Sequence, residues 1–193
     1  MRPYCSHCHY PASTCLCKYI APVSCPVSLI ILQHSNEASH AKNTVRLLKL
    51  AIPETRIIKG KTTEDFLGLS AEIMPNACAV VYPTANSVAL ENYANSTVKP
   101  AFKQLIFIDG SWRQAYAIWK ANSWLHALPQ FHLNNAPKSD YEIRHVKMQN
   151  SLSTLEAVSH TVTTLFSADT TPLIKLQAAF QQKWRSPLAH RRK

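Results

Sequence analysis

Apolar and polar positions follow two different periods along this chain. Unbroken apolar runs at residues 27–33 (VSLIILQ), 77–82 (ACAVVY) and 105–108 (LIFI) predict strands buried on both faces. Pro83 stops the second run and Asp109-Gly110 stops the third. Shorter strands are predicted at 55–59, 131–133 and 141–146. Between these runs the period lengthens. Residues 40–52 carry Val45, Leu47, Leu48 and Leu50 on an apolar face and predict a helix, and 63–69 predict one or two helical turns. Ser111 with Gln114, and Ser153 with Glu156, form capping boxes that open helices over 111–121 and 153–167. Thr171 before Pro172 reads as an N-cap with Pro at N1, opening a last helix that runs to residue 185.

Apolar strands alternating with helices predict an α/β fold with a mostly parallel sheet. Such folds bind ligands beyond the carboxyl ends of the strands. Tyr82-Pro83-Thr84 and Asp109-Gly110-Ser111-Trp112 are both expected there. The chain has only three glycines, at 60, 68 and 110, so neither a G-x-G-x-x-G fingerprint nor a P-loop can be built. Any nucleotide-like cofactor must be held by another kind of loop.

The first 22 residues differ from the rest. Cys5, Cys8, Cys15 and Cys17 stand in the pattern C-x2-C-x6-C-x-C, with His7 and His9 between them. Four thiolates in so short a span can surround one tetrahedral Zn2+, which leaves no open position, so the metal is expected to be structural. An iron–sulfur cluster, free thiols and a redox pair are the other readings. The organisation expected is a zinc-binding segment at 1–22 and a catalytic domain at 23–193 ending in a basic tail. No run of 18 apolar residues exists and the N-terminus lacks an apolar signal core, so a cytoplasmic protein with reduced thiols and no membrane span is expected.

The 193 residues include 21 Lys+Arg against 11 Asp+Glu, a net charge of +10. That excess points to a polyanionic partner, most simply nucleic acid. The plainer reading is a basic protein kept soluble by its charge.

Five local patterns occur in order: the cysteine cluster; Gln33-His34-Ser35-Asn36-Glu37 followed by Asn43-Thr44; Tyr82-Pro83; Asp109-Gly110-Ser111-Trp112-Arg113-Gln114-Ala115; and Leu152-Ser153-Thr154-Leu155-Glu156-Ala157. Together they resemble the DTW-domain family, and within it the bacterial tRNA-uridine aminocarboxypropyltransferases. The resemblance runs from Cys5 to about Val162. It implies transfer of the 3-amino-3-carboxypropyl group of S-adenosylmethionine to N3 of a tRNA uridine. It also implies a fold similar to that of the SPOUT methyltransferases, whose C-terminal cofactor site is knotted. Ser111 stands where the family has Thr, Ser35 follows His34 where Pro is usual, and Lys147 replaces a Pro after Arg144.

On this reading Tyr82, Pro83, Thr84, Asp109, Gly110, Ser111, Trp112, Leu152, Ser153 and Thr154 form the cofactor loops. Asp109 is the leading candidate for the general base, or for orienting N3–H. Its plain reading is a loop or capping residue. Trp112 either stacks on a base or is a core aromatic with Tyr116 and Trp119. Ser153 and Thr154 either hold the cofactor carboxylate at a helix N-terminus or simply cap the helix. His34, Glu37, Asn43, Thr44 and Arg46 are expected to form a polar wall facing RNA or the cofactor's amino acid moiety. Lys42, Arg46, Arg113, Arg144, Lys147 and the tail residues Arg191, Arg192 and Lys193 are expected to meet phosphates. Cys78 is expected to be a small core residue. A SPOUT-type RNA methyltransferase and a non-enzymatic zinc-containing RNA-binding module are the competing functions.

Overall fold

The computed structural model describes residues 3–95, 102–141, 143 and 151–184. Its centre is a six-stranded, all-parallel sheet. In chain order the strands are β1 (Ser28–His34), β2 (Arg56–Gly60), β3 (Cys78–Val81), β4 (Val88–Ala89), β5 (Gln104–Asp109) and β6 (Gln130–His132). Their spatial order is β2-β1-β5-β3-β6-β4. The α-helices are α1 (Val45–Ala51), α2 (Thr63–Glu72), α3 (Leu90–Ala94), α4 (Trp112–Ala121), α5 (Thr154–Phe166) and α6 (Thr171–Lys183).

Two cores flank the sheet because strand side chains alternate between faces. Leu29, Ile31, Leu105, Phe107 and Phe131 pack with residues of α1, α3, α5 and α6. Ile30, Leu32, Val80 and Ile106 pack with Phe66 and Leu69 of α2 and with Ala115 and Ile118 of α4. The crossovers obey one hand. The β1–β2 and β4–β5 connections step toward the β2 edge, and their helices α1 and α3 lie on the first face. The β2–β3 and β5–β6 connections step the other way, and α2 and α4 lie on the second.

Several expected boundaries change. α1 covers Val45–Ala51 rather than 40–52, because residues 35–44 satisfy their backbone in turns. The N–H of Asn36 bonds His34 Nδ1, and Asn43 Oδ1 accepts from the N–H of Val45. α2 runs three residues past the expected end, opened by a capping box between Thr62 and Asp65. The N-cap of α6 is Thr170, not Thr171, and the Thr170 hydroxyl reaches back to Ser159 and Thr163 of α5. Tyr141 and Ile143 are not in a strand, and the rest of the strand expected at 141–146 lies outside the described residues. So do Arg144, Lys147 and the tail residues Arg191, Arg192 and Lys193. The path from β6 to α5, on which any knot depends, includes 144–150, also outside them.

The cysteine segment is packed onto the sheet domain. Cys8, Tyr10 and Leu16 are buried in the same core as α1 and α6, and the Tyr10 ring lies 5.5 Å from that of Phe180. No described helix is long and apolar enough to cross a membrane.

Candidate active site and metal centre

A cavity of about 920 Å³ opens beyond the carboxyl ends of β3, β5 and β6. That volume suits a drug-sized ligand. Its wall brings together Tyr82, Pro83, Thr84, Gly110, Ser111, Trp112, Arg113, Leu152 and Thr154, segments far apart in the chain. The N-termini of α4 and α5 both end at this wall, and helix N-termini favour an anionic group. The Ser111–Gln114 and Ser153–Glu156 capping boxes are both formed. Gly110 is required by crowding: a Cβ there would lie 2.9 Å from Gln114 Cβ and 3.4 Å from His34 Cβ. Trp112 is 41% exposed at the cavity wall, so it is not a core aromatic. Trp119 takes the packed place instead, 5.5 Å from the buried Tyr82 ring.

Asp109 sits behind this wall. Parallel pairing sets Gln33 beside Asp109, on the face shared by Leu105 and Phe107. That face looks toward α5. Gln33 Nε2 donates to Asp109 Oδ2 at 2.9 Å, and the Thr154 hydroxyl donates to Oδ1. The buried carboxylate therefore ties β1, β5 and the first residue of α5 together, and it is not among the residues lining the cavity. Thr154 both lines the cavity and bonds Asp109. Ser153 is buried and spent on structure: its hydroxyl accepts from the N–H of Glu156 and donates to Gln177.

The wall expected from the first strand lies elsewhere. None of His34, Glu37, Asn43, Thr44 and Arg46 lines the cavity. Asn43 and Thr44 are buried; the Asn43 amide bonds the Glu37 carbonyl and the Val45 N–H. Burial, and then the nearby Lys61, hold His34 below its ordinary pKa, and its Nδ1 accepts from Asn36. Arg46 reaches the cysteine segment, donating to the His9 carbonyl with its guanidinium 4.5 Å from the Tyr10 ring centroid. Cys78 is a core residue, with its thiol pushed up to about 12 by burial.

His132 was not singled out by sequence. It lines the cavity at the end of β6. Its Nδ1 lies 2.9 Å from Ser87 Oγ, which also lies 2.8 Å from the Thr84 carbonyl and 3.0 Å from the Thr84 N–H. The hydroxyl has one proton. Given to the Thr84 carbonyl, it leaves Oγ to accept from both Nδ1–H and the Thr84 N–H. In that tautomer the imidazole lone pair is on Nε2; the Thr84 carbonyl also accepts from the Ser87 N–H at 3.3 Å, so a hydroxyl donating to Nδ1 would leave no group unpaired either. Ser87 and His132 are 45 residues apart, so no local pattern announces the pair.

Two carboxylates fasten the cavity loop between β6 and α5. Glu156 accepts from the Ser139 hydroxyl and from the N–H groups of Asp140 and Ser153. Glu91 of α3 accepts from the N–H groups of Asn134 and Asn135 and pairs with His160 at 3.0 Å. Burial alone would raise the Glu91 pKa. The hydrogen bonds from His160, Asn135 and Asn134 outweigh it and hold the carboxyl at about 2. A depressed carboxyl stabilises the fold above its ordinary value near 4.5, and that contribution is lost as pH falls toward 2. Glu91→Gln is therefore expected to cost about 2 kcal/mol at neutral pH and much less at pH 2–3, measured by denaturant melts across that range.

At the N-terminus the four sulfurs of Cys5, Cys8, Cys15 and Cys17 lie within 4.8 Å of one another, with Cys5–Cys17 at 3.5 Å and Cys8–Cys15 at 3.7 Å. Sulfurs on a tetrahedral Zn2+ with bonds of about 2.3 Å stand about 3.8 Å apart, so the donor set fits the ion. The N–H groups of Cys8 and then His7 point at the Cys5 sulfur and lower its pKa to about 6, which favours the thiolate. His9 takes a left-handed backbone (φ 56°) that turns the chain between the pairs. No disulfide links any of the six cysteines.

Among curated proteins the chain is similar to tRNA-uridine aminocarboxypropyltransferase 2 of Mus musculus, 33% identical over 165 residues. That alignment takes 82% of this chain and 55% of the mouse protein. The protein of the same name from Macaca fascicularis is 32% identical over the same shares. The one from Drosophila melanogaster is 30% identical over 86% of this chain and 68% of its own length. These are animal proteins, where the sequence pattern had suggested a bacterial set. The chain spans about half the length of the mouse and macaque relatives. No solved structure matches it. The family model described as the DTW domain matches residues 2–185, and the chain belongs to that family.

Proposed function

We propose that this chain transfers the 3-amino-3-carboxypropyl group of S-adenosylmethionine to N3 of a tRNA uridine. The observation that carries the reading is convergence: the three strand-end and helix-start segments that mark the family surround one cavity of fitting size. The relatives' printed name supplies the group transferred and the RNA. The excess of ten positive charges suits that RNA.

S-adenosylmethionine supplies a sulfonium that makes its γ-carbon electrophilic; N3–carbon bond formation releases methylthioadenosine. The protein's work is positioning and proton removal. The N-termini of α4 and α5 and Arg113 suit the donor's carboxylate, and Trp112 offers a face for a flat ring. His132 Nε2 is the cavity group free to accept the N3 proton. Asp109 acts through Thr154 as a positioning residue, fixing its hydroxyl and the start of α5. The Cys5, Cys8, Cys15 and Cys17 thiolates would hold a structural Zn2+ that sets the shape of the N-terminal segment.

Trp112→Ala is expected to weaken S-adenosylmethionine binding about tenfold by calorimetry, in line with about 1–1.5 kcal/mol for an aromatic contact. Its melting temperature should stay near wild type, because the ring is 41% exposed. The function itself is tested by nucleoside mass analysis of unmodified tRNA treated with the protein and donor. A uridine carrying the added aminocarboxypropyl group supports it. A methylated nucleoside supports the SPOUT methyltransferase reading, and unchanged RNA supports the binding module.

A further inference from the structure

A second concavity, about 310 Å³, lies between the cysteine segment and the C-terminal end of α6. Its character is aromatic and cationic. Tyr4 (65% exposed), Tyr10 and Trp184 line it together with Arg46 and Lys183, and among the described residues no carboxylate does. Lys42 adds a charge 5.5 Å over the Trp184 ring. Beneath the floor of the groove the hydroxyl of Tyr10, a residue only 6% exposed, and the Trp184 indole N–H have no partner among the described residues, and both atoms are buried rather than open to the groove. Native interiors seldom leave such groups unpaired. An exposed flat ring beside cations is the complement of a nucleotide, which brings a π-face and a phosphate.

The topology places this groove and the cavity on one edge of the molecule. α5 starts at the cavity on the carboxyl edge of the sheet, and α6 runs back along it, so that Gln177 meets Ser153 and Gln181 meets Asp140. The end of α6 thus returns to the carboxyl edge, where α1 begins with Val45 and Arg46. An RNA presenting a uridine to the cavity extends along this edge.

We propose that this groove seats an unpaired nucleotide of the RNA substrate, stacked on Tyr4 with its phosphate at Lys183 and Arg46, outside the catalytic cavity. The inference rests on RNA being the substrate. Binding of unmodified tRNA is measured across a salt series for wild type, Tyr4→Ala, Lys183→Ala and the double variant, with melting temperature as the control for folding. Each single variant is expected to weaken binding about three- to tenfold and the double variant more than tenfold. Lys183→Ala should also reduce the salt slope by about one. A single-stranded oligonucleotide should compete with wild type, and a perfect duplex should not. Double-variant binding within twofold of wild type, or equal competition by the duplex, overturns the groove. Methylthioadenosine release by wild type is scored separately. Its absence counts against the transferase reading, while the binding series still decides the groove.

Discussion

Serine in place of both Cys8 and Cys15 is expected to cost the chain its metal and much of its folded stability. The two sulfurs are 3.7 Å apart on one edge of the thiolate cluster, and Cys8 is 2% exposed. The loop they close carries Tyr10, and Leu16 directly follows it, both in the core that α1 and α6 share. In isolated zinc-finger peptides the ion supplies roughly 10–16 kcal/mol of apparent binding energy. Here the sheet domain has its own core, so the loss should be partial, on the order of 3–5 kcal/mol, or about a 10 °C fall in Tm. Elemental analysis should give one zinc per wild-type chain and none in the variant. A metal-free wild type of undiminished stability would remove the metal centre, and visible absorbance with iron would turn the assignment to an iron–sulfur cluster.

His132→Asn is expected to lower kcat for transfer by about 10²–10³-fold, the range for a lost general base. The asparagine amide can replace Nδ1–H as donor to Ser87, so the Thr84–Ser87 turn should persist while Nε2 is lost. S-adenosylmethionine affinity and Tm should therefore hold. Asp109→Asn has a different signature. Its new amide must donate to Thr154 or face Gln33 Nε2, so the Thr154 hydroxyl turns or the contact breaks. A positioning role predicts weaker donor binding together with slower transfer. Donor affinity separates the two residues: the His132 variant should keep it while kcat falls, whereas the Asp109 variant should lose both. A His132 variant with normal kcat would return the proton to Asp109.

The centre of the sheet was legible because β1, β3 and β5 are apolar runs flanked by turn or polar residues, and β2 and β6 carry shorter apolar stretches between such residues. The rest failed for physical reasons. The two-residue β4 and five-residue α3 are too short for either period to register, and so Glu91 went unnoticed. The helix expected at 40–52 begins later because the side chains of His40 and Asn43 accept from the backbone N–H groups of Lys42 and Val45, local bonds that compete with a helix. Asp109 carried its answer in the alternation: sharing a face with Leu105 and Phe107, it had to point toward a covering helix. Its partner Thr154 could not be read, since nothing local links residues 45 apart. The cavity loops were legible because capping boxes and strand-stopping residues mark them. Arg46, expected in a wall facing RNA or the cofactor, does not line the cavity and braces the cysteine segment through the His9 carbonyl.

The central claim is that the γ-carbon, and not the methyl carbon, of S-adenosylmethionine meets the uridine. Two preparations of the donor, one labelled in the carboxyl carbon and one in the methyl group, test it on unmodified tRNA. Carboxyl label in the RNA, with methyl label recovered only in methylthioadenosine, is the predicted result. Methyl label in the RNA, with S-adenosylhomocysteine as the small product, would contradict it.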